Sequence, residues 1–267
     1  MRRFPIGRVR DYGVPGVGRI VRGLGTKRGK GNAVAEDGRD KRRDALLSSA
    51  LFQAMKPEEL DGILRMATDR RYRRGQTIFQ KDDPGSSMMA VLNGRVRIGA
   101  MSPEGKEITL NMIDAGEVFG EIALLDGKPR SADATAFEDT QLLVIERRHF
   151  VPYLEGDKDL ALRLLAVLCE RVRHTSETLG DFVMFDLEAR LGRTLIKLAG
   201  DYGRAAGPAV RIGIKLSQND LSRLVASSRE SVNKQMRAWE DEGLVVKDAG
   251  LLSIKRPEEL KRRVGLT

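Results

Sequence analysis

The sequence predicts an α+β protein: a small antiparallel β-domain, then one long helix, then a compact helical module at the C-terminus. Three observations carry this. Glycines at positions 75, 85, 94, 105, 116 and 127 recur every nine to eleven residues around short runs such as QTIF, MMAVL, RVRIGA, ITLNMI and QLLVIE. Turn signals that regular, set among β-branched and aliphatic runs, describe an antiparallel barrel or sandwich over roughly residues 70–150. Residues 157–184 then carry apolar side chains in a seven-residue repeat, and the segment after 187 reads as capped amphipathic helices.

The order of elements begins with a tail. Residues 1–43 are rich in Gly and Arg, keep no helical or strand period, and cannot bury enough apolar area to offset chain ordering, so disorder is expected there. A DNA-contacting arm, a start codon placed too far upstream or a transit peptide would each give such a stretch. From Asp44 the pattern becomes periodic. Leu46, Leu47, Leu51 and Phe52, then Leu60, Ile63 and Leu64, predict two short helices leading into the β-domain, which is assigned residues 44–156. Residues 157–186 form the long helix and its hinge, and 187–267 the C-terminal module.

A chain of 267 residues, 41% hydrophobic and 32% charged, has ample material for two cores. The single cysteine, Cys169, excludes a disulfide within the chain and any four-cysteine metal site, and suits a reducing cytoplasm. His149 and His174 are the only imidazoles, so no metal centre is expected. No apolar run approaches the ~18 residues of a membrane helix and no secretory signal is evident, which points to a cytoplasmic protein. No nucleophile, base and orienting group recur at a recognisable spacing, so the chain does not read as an enzyme.

The net charge of +9 is unevenly spread: residues 1–30 carry +8, residues 31–189 carry −6 and residues 190–267 carry +7. A basic C-terminal module on an acidic body is what phosphate neutralisation by nucleic acid would need, though a solvated surface has the same composition.

Within the β-domain the stretch FGEIALLDGKPRSA, residues 119–132, is not strand-like. Glu-Ile-Ala-Leu-Leu can make one helical turn, and Gly127 and Pro129 force the chain around. Unpaired N–H groups at the start of such a turn, with the guanidinium fork of Arg130, suit a phosphate. Glu121 accepts hydrogen bonds only and would repel that phosphate, so it suits a sugar hydroxyl of the same ligand. An internal salt bridge between Glu121 and Arg130 is the alternative reading of these two residues.

In the long helix, Ala161, Leu165, Leu168, Val172, Thr175, Leu179 and Phe182 alternate in steps of four and three, the spacing of a coiled-coil seam. A polar Thr175 in that seam requires a reason. After it, EARLGRTLIKLAG marks a packed helix through Leu191, Leu195, Ile196 and Leu198. In LSQNDLSRLVASSRESVNKQMRAWEDEGLV, Ser217 is an N-cap with Asp220 three residues on, and Leu221, Leu224 and Val225 face inward. Ala226-Ser227 makes the turn and Ser228 caps a second helix. Val232, Met236 and Trp239 form that helix's buried face and leave Arg229, Glu230, Asn233, Lys234 and Arg237 outward or flanking. Arginine pairs with guanine O6/N7 and a carboxylate accepts from cytosine N4, so Arg229 and Glu230 suit base edges.

These motifs together resemble the cyclic-AMP receptor protein / fumarate-nitrate reductase regulator family of bacterial transcription factors, over roughly residues 45–260. FGEIALLDGKPRSA is similar to that family's phosphate-binding cassette, within a jelly-roll-like cyclic-nucleotide-binding β-roll. The resemblance implies that Gly120 and Glu121 meet the cyclic phosphate region and ribose hydroxyl and that Arg130 and Ser131 hold the phosphate. It implies that Thr175 of one subunit and Ser176 of its partner hydrogen-bond the adenine of cyclic AMP, with cyclic GMP, another ligand or none as alternatives. SSRESVNKQMRAWEDEGLV resembles the recognition helix of a winged helix-turn-helix, with Ser228, Arg229, Glu230, Asn233 and Lys234 at the DNA, and LVVKDAGLLSI resembles its wing, turned at Asp248-Ala249-Gly250. The implied partners are a second copy of the chain, a two-fold symmetric double-stranded DNA site and RNA polymerase. A sensor module regulating an enzyme is the alternative of a different class. Two departures stand out: Ala226 where many such turns have glycine, tolerable at negative φ, and Lys234 where a well-studied relative has arginine. Arg130→Leu is expected to abolish the ligand response and to leave the fold intact.

Overall fold

The computed structural model describes residues 42–49, 51–53, 55–248 and 250–266. The tail expected over residues 1–43 therefore lies outside the described residues except at its last two positions, and Ala249 of the wing turn lies outside them too.

Two short helices open the described chain, α1 over residues 42–47 and α2 over Pro57–Met66. The start of α2 is set by Pro57 in its first turn and by the Glu59 carboxylate, which accepts the Lys56 N–H at 3.0 Å. Leu46, Leu51, Phe52, Leu60 and Ile63 from this region pack beneath the first sheet against Met88, Leu143, Ile145 and Phe150.

The β-domain has eight strands: β1 (Thr68–Tyr72), β2 (Thr77–Phe79), β3 (Ser87–Asn93), β4 (Val96–Met101), β5 (Glu107–Ile113), β6 (Val118–Phe119), β7 (Asp133–Ala136) and β8 (Thr140–Glu146). They form two four-stranded antiparallel sheets in the orders β1-β8-β3-β6 and β2-β7-β4-β5. The five runs read from the sequence coincide with β2, β3, β4, β5 and β8. The strand β1, TDRRY, carried no apolar run because its side chains are exposed or half-buried. Met89, Val91, Val96, Ile113, Phe119, Ala134 and Leu142 close the space between the two sheets. The ladder between β4 and β5 slips between Ile98 and Gly99: Ile98 pairs with Asn111 but Gly99 pairs with Thr109, so Leu110 is the extra residue of a β-bulge.

Helix α3 (Glu121–Asp126) interrupts the sheets between β6 and β7, as the cassette predicted. Helix α4 (Arg147–Gly156) then leads into α5 (Lys158–Met184), whose N-cap Asp157 accepts the N–H groups of Asp159 and Leu160. The long helix has two faces. Leu160 and Leu164 are buried against its own β-domain, whereas Leu165, Val172 and Leu179 of the predicted seam are 55–65% exposed. That exposed stripe continues to Val183 and Met184.

The C-terminal module comprises α6 (Leu187–Tyr202), β9 (Gly203–Ala206), β10 (Ala209–Ile212), α7 (Gln218–Leu224), α8 (Arg229–Asp241), β11 (Val245–Asp248), β12 (Leu251–Ile254) and α9 (Pro257–Arg263). Strands β9 to β12 form a third sheet in the order β11-β12-β10-β9. Leu191, Leu195 and Leu198 of α6 bury against Val225, Val232, Met236, Trp239 and Ile254. The two caps are present: Ser217 Oγ accepts the Asp220 N–H at 3.1 Å while Asp220 accepts the Ser217 N–H at 2.9 Å, and Ser228 Oγ accepts the Ser231 N–H at 3.1 Å.

One detail of the turn between α7 and α8 corrects the sequence reading. Ala226 has φ +49°, in the left-handed region, not the negative φ on which its tolerance of the turn rested. Ser227 N–H donates to the Ser222 carbonyl at 3.0 Å across the turn, and that closure needs a left-handed residue before it, which is why glycine is common at such positions.

The two halves of the chain are in contact. Phe137 of the β-domain is buried in the C-terminal core. Tyr202 at the end of α6 donates to Asp114 Oδ2 at 2.7 Å with the Arg95 guanidinium over its ring at 4.3 Å. Arg223 of α7 donates to Glu107 Oε1 at 2.7 Å, and Arg74 reaches Asp220 at 3.3 Å.

Candidate functional site

A cavity of about 180 Å³ lies between α3, the β4–β5 bulge and α5, lined among others by Phe79, Gly120, Glu121, Arg130, Ser131, Arg171 and Thr175. Five of the six residues proposed to hold a ligand thus line one cavity although they come from two segments about forty residues apart.

The cassette is built around Arg130, only 4% exposed. Its Nη1 donates to the carbonyls of Ser87 at 2.7 Å and Gly120 at 2.9 Å, and its Nη2 to Ser87 Oγ at 3.1 Å. Its guanidinium lies over Phe79 at 4.3 Å, which fixes its plane. Nε is buried with no hydrogen-bond partner among the described residues. Burial pushes the Arg130 pKa down, opposed by the charges of Asp83 and Glu121. The guanidinium is therefore a desolvated cation whose hydrogen-bond partners among the described residues are neutral oxygens, and a bound anion would relieve it.

Gly120 is required twice over. It caps α3 at φ +77°, and a Cβ placed on it would stand 2.7 Å from Arg130 Nη1. Gly85 is required for space alone, because its Cβ would meet the Ala123 Cβ at 2.4 Å.

Glu121 is 1% exposed and does not pair with Arg130. The alternative of an internal Glu121–Arg130 salt bridge is not what forms: the carboxylate pairs through Oε1 with Arg171 of α5, which also donates to the Val118 carbonyl. Glu121 Oε2 is buried without a hydrogen-bond partner among the described residues. An unpaired buried carboxylate oxygen costs free energy until a donor arrives, and a sugar hydroxyl is such a donor. With Arg130 and Arg171 against one carboxylate, the charges lining the cavity sum to one excess positive charge, the complement of a singly charged phosphodiester.

Arg171 was missed in the sequence. Its signal was available: it lies four residues before Thr175, hence on the same face of α5. Thr175 lines the cavity, and Ser131 sits exposed at its rim. Ser176 is not brought to the cavity of its own chain. It is exposed, and its hydroxyl donates to the Val172 carbonyl at 2.8 Å. The resemblance assigned it to the partner's pocket, and its position on the outer side of α5 suits that assignment. Beside Thr175, His174 Nε2 accepts from Lys197 Nζ of α6 at 2.5 Å; burial and then the Lys197 charge hold its pKa below the usual histidine range.

The second candidate surface is the start of α8. Ser228, Arg229, Glu230 and Lys234 are exposed and Asn233 is half-buried, while Val232, Met236 and Trp239 are buried beneath them. This is the division of faces that a helix presenting base-reading side chains needs. No helix among the described residues is long and apolar enough to cross a membrane.

Comparison with known proteins identifies the two domains that carry these surfaces. Residues 69–157 match the cyclic nucleotide-binding domain and residues 189–263 the Crp-like helix-turn-helix domain. The chain is 32% identical over 207 residues to the cyclic AMP receptor protein of Thermus thermophilus, covering 78% of this chain and 93% of that one. It is 28% identical over 220 residues to the CRP-like cAMP-activated global transcriptional regulator of Mycobacterium tuberculosis, covering 82% of this chain and 98% of that one. In fold it is similar to the c-di-GMP-responsive global regulator CLP of Xanthomonas campestris, at TM-score 0.67 and 21% identity over 74% of this chain and 99% of that one. With a nucleotide-binding β-roll, a long helix and a DNA-binding module in the order of these relatives, the chain belongs to the cyclic-AMP receptor protein / fumarate-nitrate reductase regulator family, whose members are transcription factors rather than enzymes.

Proposed function

We propose that this chain is a cytoplasmic, homodimeric transcription regulator that binds cyclic AMP and, in response, a two-fold symmetric DNA site, with RNA polymerase as its eventual partner. One observation carries the ligand half: a single cavity holds a buried arginine, Arg130, whose hydrogen-bond partners among the described residues are neutral oxygens, and a buried carboxylate oxygen on Glu121 with no hydrogen-bond donor among them. A phosphodiester next to a ribose hydroxyl supplies both missing partners in one molecule. Gly120 lets the backbone approach that phosphate, Ser131 adds a hydroxyl at the rim, and Thr175 meets the base together with Ser176 of a second copy.

The second copy is argued from α5. Leu165, Val172 and Leu179 stand exposed in a seven-residue repeat, and apolar side chains so spaced are covered by packing against the same stripe of another helix. The cavity is smaller than the ~300 Å³ at which ligand pockets begin, and a partner helix beside Thr175 would extend its wall. Ligand occupancy then joins the cassette to the dimer helices, and His174 on Lys197 gives α6 a direct contact with that region. A coupling of ~1–3 kcal/mol would change DNA affinity ~5- to 150-fold. At the DNA, Arg229 and Glu230 read base edges, with Ser228, Asn233 and Lys234 beside them.

The test is an electrophoretic mobility shift on a palindromic site with no nucleotide, cyclic AMP or cyclic GMP. Cyclic AMP is expected to strengthen the shift. A shift that neither nucleotide alters would refute the sensing half.

A further inference from the structure

We infer that His174 and Lys197 form a proton-sensitive latch between the helix that carries Thr175 and the DNA-binding module, and that acid opens it and weakens the coupling of nucleotide to DNA. This rests on the nucleotide-dependent DNA binding proposed above and adds a condition to it. Helices α5 and α6 meet at the two-residue linker 185–186 and fold back on each other. Among the described residues that corner is held by Arg193 with Asp181 at 3.3 Å, by the guanidinium groups of Arg190 over Phe182 at 5.8 Å and of Arg193 over Phe185 at 4.5 Å, and by Lys197 Nζ, which donates to His174 Nε2 at 2.5 Å.

The last of these lies farthest from the linker. His174 stands ten residues before the end of α5 and Lys197 ten residues after the start of α6, so each is about 15 Å along its own helix. A contact so far out on both arms fixes the angle between them more tightly than one at the corner. Leu191, Leu195 and Leu198 bury α6 in the C-terminal core, so the recognition helix α8 follows that angle. On the other arm, His174 is the direct neighbour of Thr175, which lines the ligand cavity.

The latch holds in one protonation state only. An ammonium donates and cannot accept, so His174 Nε2 must keep its lone pair and the ring must be neutral. Protonation turns Nε2 into a second donor and sets two cations against each other. Nδ1, which holds the proton of the neutral ring, is buried with no hydrogen-bond partner among the described residues, so no acceptor there favours the imidazolium. Glu177 of α5 and Asp201 of α6 favour the proton, but burial and the Lys197 ammonium outweigh them and hold the His174 pKa below the usual histidine range. Of the other charges beside the ring, Arg171 pairs with Glu121 and Glu170 with Arg173 at 3.2 Å, while Arg163 of α5 and Glu117 of the β5–β6 turn, of opposite sign, line the same cavity of about 620 Å³ as His174. A depressed folded pKa means that the stabilisation from the latch is complete above the unfolded value of ~6.5 and is lost as pH falls through the folded value.

Fluorescence anisotropy of a labelled palindromic duplex with the full-length protein, with and without cyclic AMP, from about pH 7.5 to about pH 5, reads the coupling as the ratio of the two DNA affinities. In wild type that ratio is expected to shrink about 3- to 10-fold in acid, the worth of one hydrogen bond. His174→Gln keeps an acceptor for Lys197 and cannot titrate, so it should hold the neutral-pH ratio throughout. Lys197→Met removes the donor and should show the reduced ratio at every pH. A wild-type ratio that ignores pH, a His174→Gln variant that falls with wild type, or a Lys197→Met variant with the wild-type profile would each overturn the inference. If wild type gives no response to cyclic AMP at any pH, the proposed function fails, and urea unfolding of the ligand-free protein judges the latch by itself. Wild type should then lose more stability than His174→Gln on going from neutral to acid, and equal losses would overturn the latch as well.

Discussion

Arg130→Leu tests both the structural contacts of this guanidinium and the ligand role proposed for it. The sequence suggested that this variant would lose the ligand and keep its fold. The structure predicts that it also loses stability, because the guanidinium ties Gly120 to Ser87 through three hydrogen bonds and rests on Phe79. Leucine leaves the Ser87 and Gly120 carbonyls without that donor, and each such loss costs about 1 kcal/mol or more. Removing a desolvated cation offsets part of it, so a net cost of about 2–4 kcal/mol follows. At about 2–4 °C per kcal/mol for a chain of this size, Tm falls by about 4–16 °C. Ligand at a hundred times its Kd stabilises the folded wild type by about 2.7 kcal/mol, and the variant should show none of that shift. Differential scanning fluorimetry with and without saturating cyclic AMP reads both effects at once, with Arg130→Lys as the comparator that keeps the charge and loses the fork. A variant that melts with wild type, or that still shifts with cyclic AMP, would refute the reasoning.

The remaining expectations follow from single contacts. Ala226→Gly should stabilise the DNA-binding module: the left-handed alanine costs about 1–2 kcal/mol, and glycine's greater freedom in the unfolded chain returns about 0.4–1 kcal/mol of it, so denaturant unfolding should show a net gain of up to about 1.6 kcal/mol. Val172→Glu, in the exposed stripe of α5, should convert a dimer to a monomer in sedimentation analysis; a variant that remains dimeric would place the interface elsewhere. Burial raises the Glu107 pKa, but the hydrogen bond from Arg97 and the charges of Arg97 and Arg223 outweigh it and hold the carboxyl below the usual glutamate range. A depressed folded pKa gives stability that is complete above the unfolded value of ~4.3 and is lost as pH falls through the folded value. Glu107→Gln should therefore be less stable than wild type at neutral pH in urea titrations, with the gap closing in acid.

What the sequence disclosed and what it hid divide along a physical line. The cassette was legible because its chemistry is local: Gly120, Glu121, Arg130 and Ser131 lie within twelve residues, and a helical turn between strands leaves a mark in composition. The two faces of α5 were half legible, because a seven-residue repeat announces a seam but says nothing of Leu160 and Leu164, which the β-domain covers. Contacts between distant segments left no such mark. Arg171 pairs with a carboxylate fifty positions earlier, and only its phase relative to Thr175 pointed to it. Phe137 carries no signal of its own in the sequence, yet it is buried in the core of the other half of the chain. The register slip between β4 and β5 is a property of two paired strands, so it is invisible in either strand alone. The same line separates binding from response. The groups proposed to hold a phosphodiester sit in one contiguous motif, whereas the contacts from it to α5, Glu121 to Arg171, and from α5 to α6, His174 to Lys197, are long-range pairs. On the function proposed above, the cassette accounts for binding, and these pairs are where the response to ligand is to be sought.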